Sequence, residues 1–210
     1  MFLNITEFKK FLKLAYKGSG LIVGSIDEHL VLMNASGTWG IQITDGFIPN
    51  KLKAAMVELI GDLPEKGEVL NYQPEGIQSE MDLSQFDFYV KWKQARDYAV
   101  QTPFILRYAH TEYILLQIHS TMELRPINRV FTDLISIKDL DHAVESMPGR
   151  PCYLDSVLYW KNDTMIYWAG TATLGEGFET DVLPNLAFLD CFENEVKLRD
   201  TGCLPFDEED

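Results

Sequence analysis

Residues 48–72, IPNKLKAAMVELIGDLPEKGEVLNY, hold a helix start, an apolar stripe, a helix stop and a strand in one stretch. Pro49 occupies the favoured first turn, and Leu52, Ala55, Met56, Leu59 and Ile60 recur at spacings of three and four before Gly61 ends the pattern. This predicts a helix over 49–61. Leu63-Pro64-Glu65-Lys66-Gly67 then reads as a turn and Glu68–Tyr72 as a short strand.

Working outward, Ile5, Phe8, Phe11, Leu12 and Ala15 predict an amphipathic helix over 5–17, with Lys9, Lys10, Lys13 and Lys17 on its outer side. A short strand, Phe2–Asn4, precedes it. Leu21–Ile26, His29–Asn34 and Trp39–Thr44 follow as strands joined at Asp27-Glu28 and Ser36-Gly37. Residues 73–87 lose periodicity and read as a linker. Beyond them the element order returns: a helix over 88–101 (Phe88, Trp92, Ala95 and Ala99 inward), strands at Phe104–Tyr108, Tyr113–His119 and Val130–Ile137, and a helix over 138–147. Strands at Cys152–Trp160 and Thr164–Trp168 complete the second set. Residues 170–185 have no counterpart in the first set. Leu186–Cys191 and Glu195–Arg199 read as a last hairpin, and Phe206-Asp207-Glu208-Glu209-Asp210 as a solvated acidic end.

With 46% hydrophobic and 24% charged residues, the chain of 210 is a globular protein rather than a disordered or coiled-coil one. Apolar runs such as Tyr113–Ile118 fall short of a membrane span, and the first residues lack an apolar leader core, so a cytoplasmic protein with no membrane partner is expected. Three cysteines, Cys152, Cys191 and Cys203, form no CxxC pair and read as free thiols. Eighteen Lys and Arg against 32 Asp and Glu make a net charge of −14, which repels nucleic acid on average. The average hides a contrast. Over the helices 5–17, 49–61, 88–101 and 137–147 there are 10 basic and 6 acidic residues, a balance of +4, which leaves −18 elsewhere. The fourth helix runs against the trend, with Asp139, Asp141 and Glu145 against Lys138.

The element order, and the helix, Leu-Pro turn, Gly67 and strand of 48–72, resemble the DNA sliding clamps, the ring-forming processivity factors of DNA polymerases. The resemblance implies an α+β fold of two clamp-like halves, with antiparallel sheets and helix pairs on one face. Its divisions are a clamp-like domain over 1–76, a linker over 77–83, a second clamp-like domain over 84–200 and an acidic tail over 201–210. It further implies a non-enzymatic replication accessory protein, of a phage or mobile element, that assembles as a homo-oligomeric ring and meets a polymerase or similar replication protein. Cations on helices that face phosphate would hold duplex DNA non-specifically: Lys9, Lys10, Lys13, Lys17, Lys51, Lys91 and Arg96 are the candidates. Two other classes fit the charge and the aromatics. One is a phage-type single-stranded DNA-binding protein, in which Tyr153, Tyr159, Trp160, Tyr167 and Trp168 stack on bases and the acidic tail meets partners. The other is an acidic inhibitor or immunity protein that imitates nucleic acid charge.

Catalytic motifs are incomplete, and neither a metal nor another cofactor is expected. His110-Thr111-Glu112 and Pro151-Cys152 match part of a zinc deaminase pattern, but Asp155 stands where the second cysteine belongs. Cys152 has His119 and His142 as nominal bases with no spacing that brings them together, so a structural cysteine is the expected role. Gly175-Glu176-Gly177 lacks the setting of a phosphate loop. Alternation along the 152–168 strands places half of the aromatic rings in the core, where Tyr159/Trp160 and Tyr167/Trp168 can pair across one hairpin.

Overall fold

Asn4 starts the first helix: its side-chain oxygen accepts from the backbone N–H groups of Thr6 and Glu7, satisfying donors that a helix start leaves orphaned. Helix α1 (Ile5–Gly18) then buries Ile5, Phe8 and Leu12. In the computed structural model, which describes residues 1–81 and 86–192, three strands follow: β1 (Leu21–Ile26), β2 (His29–Asn34) and β3 (Trp39–Thr44). Helix α2 (Asn50–Ile60) buries Leu52, Ala55 and Met56 and is followed by β4 (Val69–Gln73) and β5 (Gly76–Glu80). The second half comprises α3 (Phe88–Gln94), β6 (Asp97–Tyr108), β7 (Thr111–Ile118), β8 (Leu124–Asn128) and α4 (Arg129–Asp133). It continues with β9 (Cys152–Leu154), β10 (Val157–Lys161), β11 (Met165–Gly170) and α5 (Leu183–Leu186).

Among the described residues the strands form one eleven-stranded sheet in the order β5-β4-β1-β2-β3-β11-β10-β9-β6-β7-β8. Neighbouring strands pair antiparallel throughout. The expected α+β class with an antiparallel sheet is therefore what forms. Strands from the two sequence halves occupy separate blocks of this sheet, and the blocks join edge to edge through β3 and β11, where Ile43 faces Met165 and Trp39 faces Ala169.

Alternation decides what lies on each side. Leu21, Val23, Leu32, Ile41, Trp160 and Tyr167 point to a first face, where α1 and α2 pack over them as a pair. Phe8 and Phe11 both meet the Trp39 ring, at 5.5 and 5.6 Å between centroids. Ile22, Met33, Tyr159, Ile166 and Trp168 point to the second face and pack with Phe86 and Phe88. Helix α3 thus lies on the side away from α1 and α2, and among the described residues the second half builds no matching helix pair.

Several local expectations change for identifiable reasons. The stripe Phe88, Trp92, Ala95, Ala99 reads as one helix, yet the helix stops at Gln94; Ala95 stays with Phe88 on the second face while Ala99, in a strand, turns to the first. Strand pairing overrides the spacing: Tyr98 pairs with Cys152 and Ala99 with Ile118. Val130–Ile137 is not a strand, because Asn128 caps a short helix by accepting from the Val130 N–H at 3.1 Å. In place of the helix over 138–147 there is a single 3-10 turn, Ile137–Asp139. Side chains there compete with the helical ladder: Asp141 accepts from the Ala143 N–H and Glu145 from the Asp141 N–H. Cys152–Trp160 divides into β9 and β10 at Asp155 and Ser156, both with positive φ. Part of the stretch read as linker forms β5, which pairs with β4 through Gln73 and Gly76. Leu186–Cys191 ends a helix rather than forming a strand, and Glu195–Arg199 and the acidic tail lie outside the described residues.

Candidate nucleic-acid interface

Helices α1 and α2 carry six lysines and two glutamates, a balance of +4 on a chain of −14. The apolar stripe of α1 is pinned to the sheet, so the remaining circumference is free to carry charge. Lys10, Lys13, Lys17 and Lys51 are exposed and Lys9 is half-buried. Spacings of three and four bring the α1 lysines to one flank. That flank faces α2, because the Lys13 ammonium donates to Glu58 Oε1 at 3.0 Å. Lys51, seven residues before Glu58, shares the same side of α2. Lys10 is held within its own helix by Glu7 at 2.8 Å. Such exposed pairs are worth little in stability, so phosphate can displace the carboxylates.

The seven expected cations do not share a surface. Lys9, Lys10, Lys13, Lys17 and Lys51 gather on the first face, whereas Lys91 and Arg96 belong to α3 and the turn after it, on the second. The Lys91 ammonium lies 4.7 Å from the Phe88 ring centroid, and burial pushes its pKa down. Phe88 in turn stacks on Trp168 at 4.9 Å. Gly40 leaves the space for this: a Cβ there would sit 2.7 Å from the Trp168 indole and 2.7 Å from the Met33 Cβ. A glycine on a strand distant in sequence thus makes room for the ring on which α3 packs, and the Phe88 N–H donates to Gln42 Oε1 on the same strand at 2.9 Å. Lys53, half-buried on α2, extends the first-face set and was visible only as one unit of the helix charge count.

The second face also carries rings and cations that sequence spacing did not single out. Tyr89 and Trp92 stack at 5.7 Å, Lys93 lies over Tyr89 and Lys161 over Trp92. Their signal is the alternation of ring and cation in FYVKWKQAR; Trp92 does pack against the second-face core, as its spacing suggests, and Tyr89 beside it is exposed. All four of Tyr159, Trp160, Tyr167 and Trp168 are buried, rather than the half that alternation suggests, because both faces of the sheet are covered: Trp160 and Tyr167 stack at 5.4 Å on the first face, and Tyr159 and Trp168 lie on the second. Burial, with the Asp155 carboxylate, pushes the Tyr159 phenol up to about 12, so it stays neutral in ordinary buffers.

The two fragments of the zinc pattern stay apart. Cys152 pairs with Tyr98 near the start of β6, while His110 follows the far end of that twelve-residue strand, roughly 30 Å away at about 3.3 Å per residue. Glu112 is engaged by Arg107 at 2.7 Å and Arg129 at 2.9 Å, and these hydrogen bonds hold its carboxyl below the usual range. The ring of Tyr98, the register partner of Cys152, stacks on His119 at 4.4 Å. Burial pushes the Cys152 thiol up, which suits a structural role. Exposed His142 lies in the segment that carries Glu145, whereas Cys152 packs on the second face. Among the described residues, no group of three or more His, Cys, Asp and Glu side chains is placed to hold a metal ion, and no helix is long and apolar enough to cross a membrane.

No protein-family model and no curated protein matches the chain. Among solved structures, the crystal structure of the beta subunit from DNA polymerase of Streptococcus pyogenes is similar over 83% of this chain and 65% of that one, with a TM-score of 0.35 and 9% identity. This likeness is weak and lies at the level of fold alone.

Proposed function

We propose that the chain is a non-enzymatic, clamp-like DNA accessory protein that holds duplex DNA through the lysines of α1 and α2. The observation that carries this reading is the segregation of charge: +4 on one helix pair, −18 over the remainder. The helix pair attracts phosphate while the remainder carries a net negative charge, which favours approach of a duplex over the helix pair. Contacts of this kind read the backbone and not the bases, which suits a protein that must hold DNA of any sequence. In this reading the protein is cytoplasmic, the sheet closes with other copies into a ring, and a polymerase or another replication protein is the client.

The test is duplex binding across a salt series for the wild type and for the variant K9Q/K13Q/K17Q/K51Q. The wild type is expected to bind with a steep salt dependence, and the variant to lose about 3.6 from the log-log slope, about 0.9 per cation, with no change in sequence preference. Identical slopes, or no binding by the wild type at low salt, would remove the helix pair from the functional surface.

A further inference from the structure

Segment 88–96, FYVKWKQAR, contains three cations and no acidic residue in a chain of net charge −14. On α3 two of these cations, Lys91 and Lys93, are interleaved with rings. The Tyr89 and Trp92 planes are 24° apart and their centroids 5.7 Å apart; Lys93 Nζ is 4.4 Å from the Tyr89 centroid and Lys161 Nζ 4.9 Å from that of Trp92. Tyr89 is 40% exposed, so its ring is presented at the surface instead of being used in the core. Beside it opens a polar cleft of about 190 Å³ whose lining includes His29, Gln42, Thr44, Tyr89, Lys161 and Asp163. Tyr89 and Lys161 belong to both the ring-and-cation array and the cleft, which makes them one continuous surface.

We propose that this surface binds single-stranded nucleic acid: a base stacks on the Tyr89–Trp92 pair, a base edge enters the cleft, and the phosphates meet Lys93, Lys161 and Arg96. Every base has a π face, so stacking on an exposed ring tolerates any sequence; the Lys93 ammonium that lies over the Tyr89 ring is held by a weak exposed contact and moves to a backbone phosphate as the base takes its place. The other anionic partners fit less well. A duplex keeps its base faces covered and can use the cations alone. An acidic peptide offers no flat ring and brings its carboxylates against Asp163, whereas a base edge brings N–H donors to that carboxylate. The site lies on the face opposite α1 and α2 and does not depend on the duplex reading.

The test is fluorescence anisotropy of labelled oligothymidylate and oligouridylate with the full chain at low salt, with duplex DNA and polyglutamate as competitors. The expected result is binding of at least one single strand, weak competition by duplex and by polyglutamate, and a loss of about tenfold for Y89A with retention for Y89F. K93Q/K161Q should reduce the log-log salt slope by about 1.4, at about 0.7 per cation on single strands. K9Q/K13Q/K17Q/K51Q should bind single strands as the wild type does, so that this site and the duplex interface fail separately. Circular dichroism confirms that each variant is folded; if Y89A is not, the K93Q/K161Q slope decides. Absence of single-strand binding by the wild type, equal competition by duplex or polyglutamate, or an unchanged affinity and slope in folded variants would overturn the proposal.

Discussion

Glu145 shows how far one carboxylate can depart from its sequence appearance. In a run with Asp139 and Asp141 it reads as part of a solvated acidic helix, yet its side chain is buried against the Met1 ammonium at 2.6 Å. The Thr164 hydroxyl donates to its other oxygen at 2.8 Å, and the Asp141 N–H donates at 3.0 Å. Burial by itself pushes this carboxyl up; the ammonium, the Asp141 N–H and the Thr164 hydroxyl outweigh it, and the net shift is down. A carboxyl lowered in the folded state adds stability above its unfolded value of about 4.3 and loses it as pH falls through the folded value. E145Q leaves the buried ammonium without its counter-charge, and a loss of about 3 kcal/mol is expected at pH 7. Urea denaturation of both proteins at pH 7 and pH 3 checks this, since the gap should narrow below about pH 4. A constant gap would show that the ion pair is not the source.

Among the elements, β3 and α3 illustrate how a helix is placed by a residue far from it. Phe88 packs on Trp168, and position 40 on β3 has no Cβ that would displace the indole. G40A would press on both Trp168 and the Met33 Cβ, and overpacking of this kind costs about 1–3 kcal/mol. The expected outcome is a lower urea midpoint with an altered near-ultraviolet signal from the indole; a midpoint equal to that of the wild type would mean that the contact relaxes freely. Elements with strong local signals were legible. Helix α1, strands β1 to β3, α2 and β4 lie within a few residues of their sequence positions, because each carries its own period and its own turn or cap. The 88–101 stretch was not legible, because Ala95 and Ala99 are compatible with one helical stripe and also with two opposite sheet faces.

At the scale of the whole molecule, the sheet of the described residues has β5 at one edge and β8 at the other. The ring proposed above requires copies to associate, so light scattering at high concentration should report a multiple of 24.0 kDa. A lone monomer across the concentration range would eliminate an autonomous ring and leave duplex binding to be judged by its salt slope. The lysine flank of α1 was readable before any coordinates, since spacing along one helix places charges relative to one another. Its separation from Lys91 and Arg96 was not, nor was the Tyr89–Trp92 surface. Periodicity and turn signals by themselves determined the two basic helices and the first run of strands, because those depend on neighbours within one or two turns. The join of β3 to β11, the face on which α3 lies and the burial of Glu145 were decided by tertiary structure alone, because each depends on contacts between residues more than 40 positions apart, which no local pattern specifies.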